Sequence, residues 1–193
     1  MPDFMTALSS PAKTALRGAC LALPVLVMAT ASLAAGGGDS SPPQPTETTK
    51  ECKTGRIWDE QKKRCVKIKN SSLDADGLYQ TLRELAYAGR ITDAQEVLAM
   101  MPDQDDGRVL TYWGFTHRKL GNQDLAEAYY TRAIAQDPGN HLARSYMGQG
   151  FVSQGKYGLA LAQWKAIRAH GGTGTWAEVS LRDALQDGQT KSY

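Results

Sequence analysis

The stretch that decides the fold is LTYWGFTHRKLGNQDLAEAYYTRAIAQDP, residues 110–138. Its small residues recur at a fixed interval later in the chain, glycine matching glycine and alanine matching alanine. The matched pairs are Gly114 with Gly148, Gly121 with Gly155, and Ala126 with Ala160. An upstream copy, which includes Leu82 and Gly89, is two residues shorter. A fixed period of this size indicates a stack of similar structural units.

This pattern resembles the tetratricopeptide repeat, a helix-turn-helix unit of about 34 residues. The middle copy carries Leu110, Gly114, Ala126 and Tyr130 at the spacing of that family and closes with Pro138. The third copy departs from the family, because Gly171-Gly172 stands where the closing proline is expected. The resemblance implies an all-α fold, a right-handed superhelical array of about three helix-turn-helix repeats with a C-terminal capping helix, preceded by a small disulfide loop.

The repeat register also predicts where the helices lie. Thr175 and Glu178 have the spacing of a capping box, so we expect a terminal helix that covers the apolar end of the stack, with Glu178 facing water. The six repeat helices are expected near residues 75–88, 92–100, 107–119, 123–136, 140–153 and 157–169. The predicted organisation is a signal peptide at 1–35, a flexible Gly/Ser/Pro/Thr linker at 36–50, a basic disulfide-closed loop at 51–70, repeats at 71–170, a capping helix at 171–187 and a tail at 188–193.

The first 35 residues have the pattern of an export signal. Lys13 and Arg17 precede an apolar run, residues 19–31, and small residues follow it at 32–35. The run is shorter than the roughly 20 residues that span a bilayer, so an uncleaved anchor is the weaker alternative. We therefore expect an exported protein, most simply one of the bacterial periplasm.

Two cysteines, Cys52 and Cys65, follow the predicted signal. An even number in an exported chain favours a disulfide, whereas a zinc site would need further ligands nearby. The surrounding residues 50–69 include eight basic and three acidic side chains. Two hypotheses remain open for this loop. It attaches to anionic lipid or wall polymer through its basic residues and Trp58, or it is a spacer that packs against the first repeat.

Proteins of the resembled family generally bind peptides on a concave face made by the first helix of each repeat. The mixture of aromatic and basic side chains at these positions predicts a ligand with apolar and acidic residues. The alternative is that the rings only pack between helical pairs. By the family register the partner-binding positions are Tyr79, Arg83, Tyr87, Arg108, Thr111, Tyr112, Phe115, Arg118, Lys119, Ser145 and Gln149.

The chaperone-binding clamp of some family members is not expected, because Thr111 and Gln149 stand where that clamp needs Lys or Asn.

The sequence offers no candidate for catalysis, metal binding or a cofactor. His117, His141 and His170 lack metal-ligand spacing, and residues 103–107 lack the final glutamate of a calcium loop. Phosphate-binding and hydrolase motifs are absent from the sequence. The formal net charge of +2 gives no indication of nucleic-acid binding. We expect a non-catalytic scaffold for another envelope protein or peptide segment, with membrane contact only through an uncleaved signal or the basic loop.

Overall fold

A computed structural model describes residues 42–190. The predicted signal peptide, the first part of the predicted linker and residues 191–193 lie outside this range. All six predicted repeat helices are present, with ends within two residues of expectation. The elements are α1 Glu47–Lys50, β1 Arg56–Asp59, β2 Arg64–Lys67, a 3₁₀ turn Ile68–Asn70, α2 Ala75–Tyr87, α3 Ile91–Leu98, α4 Gly107–Lys119, α5 Gln123–Gln136, α6 His141–Ser153, α7 Tyr157–Ala169 and α8 Trp176–Asp187.

The repeated small residues lie where helices meet or turn. A Cβ on Gly114 of α4 would come within 2.5 Å of the Tyr130 ring on α5, so a larger residue would force the two helices apart. Gly121, in the turn between them, has a φ of +86°, which favours glycine. Ala126 is buried in the same helical pair. The repeat pattern therefore reflects the packing of consecutive helices, as expected for an all-α repeat fold.

The capping helix α8 packs against α6 and α7. A Cβ on Gly148 of α6 would come within 2.5 Å of the Leu181 side chain of α8, whereas the equivalent Gly114 faces the second helix of its own pair. Leu181 and Ala184 are buried in one cluster with Phe151 and Ile167. The cap therefore covers the apolar end of the third helical pair, and the glycine of that pair serves the cap.

The prediction that Glu178 faces water is wrong. Its backbone N–H donates to the Thr175 hydroxyl at 3.4 Å, as in a capping box. However, the side chain is buried, and its carboxylate accepts a 2.7 Å hydrogen bond from the indole N–H of Trp164 on α7. The carboxylate thus joins the cap to the last repeat helix.

The basic segment is a β-hairpin rather than an irregular loop. Strands β1 and β2 pair antiparallel, with Ile57 opposite Val66, and the predicted disulfide joins Cys52 to Cys65. Ile57, Val66 and the following Ile68 are buried in the same apolar cluster as α2 to α6. This is the arrangement expected for the spacer that packs against the first repeat.

Residues 46–50 do not form a flexible linker. Helix α1 lies against α2, where the buried carboxylate of Glu84 accepts hydrogen bonds from the backbone N–H and the hydroxyl of both Thr46 and Thr49, at 2.5–3.2 Å. The linker prediction failed here because a polar composition does not reveal a buried acceptor 35 or more positions away.

Candidate functional site

The first helix of each of the three helical pairs and the capping helix contribute one aromatic side chain each to a continuous row. Tyr79 of α2 meets Tyr112 of α4 edge-on, with ring centroids 5.8 Å apart. Tyr112 meets Tyr146 of α6 at 6.3 Å, and Tyr146 meets Trp176 of α8 at 6.2 Å. We call these four residues the aromatic row. Since each ring touches a ring of the next helix, the row spans all three helical pairs and the cap.

Two further rings widen the row at its centre. Tyr87 of α2 stacks on Phe115 of α4 at 6.3 Å, and Phe115 lies 4.8 Å from the Tyr146 ring. The hydroxyl groups of Tyr87 and Tyr146 are 2.9 Å apart and share a hydrogen bond. Aromatic pairs of this geometry add about 0.5–1.5 kcal/mol each beyond their buried area, so the row holds its shape firmly.

Three cations border the aromatic rings. The guanidinium of Arg108 lies 4.8 Å from the Tyr79 centroid, and Arg118 and Lys119 both lie 5.6 Å from the Phe115 centroid. Burial and, to a smaller degree, the charge on Arg118 lower the pKa of Lys119. Arg108 is exposed and Lys119 half-buried. These two side chains form the accessible rim of the row.

The other predicted site residues are buried in the full-length chain. They are Tyr79, Arg83, Tyr87, Thr111, Tyr112, Phe115, Arg118, Ser145 and Gln149.

Several buried polar groups of this set are bonded within the fold. Thr111 donates to the Gly107 carbonyl at 2.6 Å and accepts from the Asn140 amide. Gln149 donates to the hydroxyl groups of Ser145 and Ser180, which ties α6 to the cap. Thr111, Ser145 and Gln149 therefore take part in bonds within or between helices. The aromatic members of the predicted set lie in the row, and Arg108, Arg118 and Lys119 lie beside it. Arg83 instead donates to Gln80 on its own helix at 3.2 Å.

Two members of the row were missed in the sequence. Tyr146 lies one repeat period after Tyr112, so the repeat spacing could have identified it as the equivalent residue of the next unit. Trp176 was assigned only to the cap, although its ring extends the row onto α8. Both residues show that the row continues through the third helical pair into the cap.

A cluster of polar groups around Arg90 joins the hairpin to the first helical pair. Its guanidinium donates to the Asp93 carboxylate, with Nε at 2.7 Å from Oδ2, and Asp93 in turn accepts from the backbone N–H of Gly55. The same guanidinium donates to the backbone carbonyls of Thr48, Cys52, Lys53 and Arg56 at 2.8–3.0 Å. Every bond here is internal, so the cluster is structural.

The basic hairpin retains only part of its charge for an outside partner. Lys62 pairs with Asp59 at 2.9 Å, and this hydrogen bond is the main reason for the lowered pKa of Asp59. Lys63 pairs with Glu60 at 2.6 Å. The exposed cations without such an ion pair in residues 42–190 include Arg56, Arg64, Lys67 and Lys69.

The histidines and the acidic turn have local partners. His117 stacks on Tyr129 at 5.5 Å, and burial lowers its pKa. His141 and the His170 carbonyl lie within hydrogen-bond distance. Asp106 caps α4 by accepting from Arg108 N–H.

Between residues 42 and 190 no group of three or more His, Cys, Asp or Glu could hold a metal ion. In that range no helix combines the length and apolar character needed to cross a membrane.

Comparison with known proteins identifies one segment. The family model for the tetratricopeptide repeat matches residues 107–140, which contain α4, α5 and the turn that follows. No curated protein and no solved structure matches the chain. Residues 107–140 are thus a tetratricopeptide repeat, and the helical pairs on either side share its register of glycine and alanine.

Proposed function

We propose that this protein is a non-catalytic adaptor of the cell envelope, which holds an extended segment of another exported protein along the aromatic row. Tetratricopeptide repeats generally mediate contacts between proteins, and this supports an adaptor role. The observation that carries the proposal is the continuity of the row from α2 to α8. Most of the rings are buried, so a partner segment that follows the row would meet its accessible side chains, which are Arg108, Lys119 and Trp176.

The packed rings hold the helices in fixed positions, and the cations beside them supply the contacts that select a partner. The rings pack on one another, so they are fixed before any partner arrives, which lowers the entropy lost on binding. At the rim, Lys119 has no ion pair among residues 42–190, whereas Arg108 shares its charge with Asp106 at 3.0 Å. Lys119 is therefore the main group that favours a segment with acidic side chains. The expected ligand therefore combines acidic residues, which pair with the cations of the rim, with apolar residues that pack on the half-buried Trp176.

The proposal is tested by selecting linear peptides on the full-length protein and measuring the affinity of the enriched sequences. We expect peptides that combine aromatic or aliphatic residues with Asp or Glu. The double variant Arg108→Glu, Lys119→Glu should weaken their binding by about tenfold or more, because like charges would face each other. The matched control is Arg132→Glu, Lys165→Glu, which makes the same charge change at exposed positions of α5 and α7.

Two results would contradict the proposal. Selection could return no peptide that binds the wild-type protein in solution. Alternatively, the rim variant and the control variant could bind the selected peptides equally well, which would remove the row from the interaction. Envelope location is tested separately by fusing the full chain to an alkaline phosphatase reporter that is active only after export, and an inactive fusion would refute export.

The hairpin supports a second candidate function, attachment to an anionic lipid or wall polymer. Exposed Arg56, Arg64 and Lys67 lie on one small module, and each basic residue near an anionic membrane adds about 1 kcal/mol. Co-sedimentation with phosphatidylglycerol vesicles or with purified wall polymer tests this function. Arg64→Glu, Lys67→Glu should abolish binding that the Arg132→Glu, Lys165→Glu control retains. Equal sedimentation of the two variants would exclude the hairpin as the attachment site.

A further inference from the structure

A hollow of about 570 Å³ lies between the hairpin and the end of α3, away from the aromatic row. We call it the hairpin hollow. Its volume is in the range of small-molecule sites, about 300–1,000 Å³. The residues that line it are Thr54, Gly55, Arg56, Lys67, Ile68 and Lys69 on the hairpin side, and Glu96, Ala99 and Met100 on the helix side. The hollow is therefore large enough for a small ligand.

The walls of the hairpin hollow are held in place by the cluster around Arg90. The Asp93 carboxylate of α3 accepts from the backbone N–H of Gly55 at 3.0 Å, and Arg90 donates to the Arg56 carbonyl at 2.9 Å. Ile68 is 1% exposed, and its N–H donates to the Gly55 carbonyl at 3.3 Å. Because these bonds fix the hairpin side against α3, the hollow exists before a ligand arrives, which lowers the entropy lost on binding.

Three cations of the hairpin hollow lack a carboxylate partner. Arg56 and Lys67 are opposite each other in the strand register, where two like charges destabilise a hairpin. Neither of them, nor the exposed Lys69, lies within 4.0 Å of a carboxylate in residues 42–190. Nη1 of Arg56 donates to the Cys65 carbonyl at 3.2 Å, whereas its Nε and Nη2 have no partner in that range. An anion in the hollow would relieve this repulsion.

The charge and shape of the lining favour a divalent anion with an organic part. Three cations and one carboxylate, Glu96, line the hollow, which gives it a net charge of +2. A phosphate monoester carries about −1.5 to −2 at pH 7 and has three acceptor oxygens that point in different directions. A carboxylate has two oxygens in one plane and a single charge. The apolar side chains of Ala99 and Met100 suit the organic part of an ester.

We propose that the hairpin hollow binds a phosphate monoester. Arg56 donates hydrogen bonds to the phosphate oxygens, and Lys67 and Lys69 add two further positive charges. The organic part of the ester lies on Met100. A small soluble ester and the headgroup of a lipid such as phosphatidic acid present the same group. The site rests neither on the adaptor function nor on the aromatic row.

The site is tested by NMR on the full-length protein, labelled with ¹⁵N and with ¹³C in the methionine methyl groups, at constant ionic strength. The probes are sodium phosphate, glycerol 3-phosphate and dihexanoyl phosphatidic acid below its micelle concentration, with sodium acetate as the reference. We expect saturable shifts of the Thr54 and Lys69 amides with all three phosphates and not with acetate. The Met100 methyl group should shift with the tighter of the two esters, which identifies the source of the phosphate.

Three variants sharpen the test. Arg56→Gln, Lys67→Gln removes two cations of the hollow and should weaken binding of the tighter ester by about tenfold or more. The matched control Lys63→Gln, Arg64→Gln removes two charges of the same hairpin that do not line the hollow, and it should change the affinity by about twofold or less. Glu96→Gln should tighten binding about two- to threefold by removing a like charge. Circular dichroism verifies that each variant is folded.

The proposal is overturned if acetate shifts the same amides as strongly as phosphate does. It is also overturned if the two double variants lose affinity equally, since charge spread over the whole hairpin would then suffice. Unchanged or weaker binding by Glu96→Gln would contradict it too, whether or not the Arg56→Gln, Lys67→Gln variant folds. These outcomes are separable from the adaptor function. Phosphate binding without any selected peptide would refute the adaptor alone, whereas peptide binding without a phosphate shift would refute the hairpin hollow alone.

Discussion

Arg90 and Arg118 are both largely buried arginines, yet their surroundings differ in kind. Arg90, at the joint between the hairpin and the first helical pair, donates to Asp93 and to four backbone carbonyls. Arg118, at the seam of the second and third pairs, keeps Nε and Nη2 without an acceptor in residues 42–190. The difference teaches that the first arginine joins two parts of the fold through hydrogen bonds, whereas the second is held mainly by packing against Phe115 and Gly150.

Loss of Arg90 should produce the largest effect. Arg90→Met would leave the Asp93 carboxylate, which is 1% exposed, buried without its cation. Removing one partner of such a pair typically costs about 3–5 kcal/mol, so we expect a loss of at least about 3 kcal/mol in the free energy of unfolding. Urea unfolding followed by circular dichroism measures it. A loss below about 1 kcal/mol, typical of an exposed ion pair, would contradict the structural role of this joint.

Removal of the disulfide should rank second. Cys52→Ser, Cys65→Ser releases a closed segment with a sequence separation of 13, which costs about 3 kcal/mol in the chain-entropy model. The joint around Arg90 should loosen, because two of its carbonyl acceptors, Cys52 and Lys53, lie at the released end. Urea unfolding and amide exchange of the hairpin measure both changes. Unchanged exchange would indicate that Arg90 alone holds the hairpin.

Glu84→Gln should have a moderate and local effect. The four hydrogen bonds from Thr46 and Thr49 would lose their charged acceptor, which we expect to cost about 1–2 kcal/mol. Hydrogen exchange should accelerate in residues 46–50 and remain unchanged in α5. Gln80→Glu, at an exposed position of the same helix, serves as the reverse control. Equal exchange in wild type and Glu84→Gln would show that α1 does not depend on this carboxylate.

Arg118→Met should have the smallest effect on stability. Replacing a buried charge that lacks partners by an apolar side chain of similar length should change the free energy of unfolding by less than about 1 kcal/mol in either direction. The same urea experiment used for Arg90→Met measures it. A loss as large as that of Arg90→Met would erase the contrast and make Arg118 a structural residue.

The repeat helices were predictable because their signal is periodic. Gly114 and Ala126 each recur one repeat period later, and each marks a contact that a larger side chain would prevent. The hairpin was missed because its turn, residues 60–63, lacks the Asn-Gly or Asp-Gly pair that usually identifies one, and its strands have only four residues each. Short elements stabilised by a disulfide leave little trace in a periodic pattern.

The bonding of the polar residues could not be read from the sequence. Glu178 has the spacing of a residue that caps its own helix, but the indole of Trp164 reaches it from α7. Glu84 in α2 and Arg90 before α3 look like solvated residues in the sequence. Apart from Asp93, which lies three positions after Arg90, their bonding partners lie 34 or more positions away in the N-terminal segment. Of the predicted site, the aromatic and basic members could be assigned to one face, whereas the missing acceptor of Arg118 emerges only from three-dimensional packing.

The close contact of α8 with Gly148 has no counterpart on α8 itself. Leu181 can lie on α6 only because position 148 has no side chain. The interval that separates Gly114 from Gly148 leads, when counted once more, to Arg182, which is exposed and faces Asp183. A further helix could not come as close to α8 there, since a long charged side chain occupies the place of the glycine. The cap thus carries a charged side chain at the position where the two preceding repeats have the glycine of close helix contact.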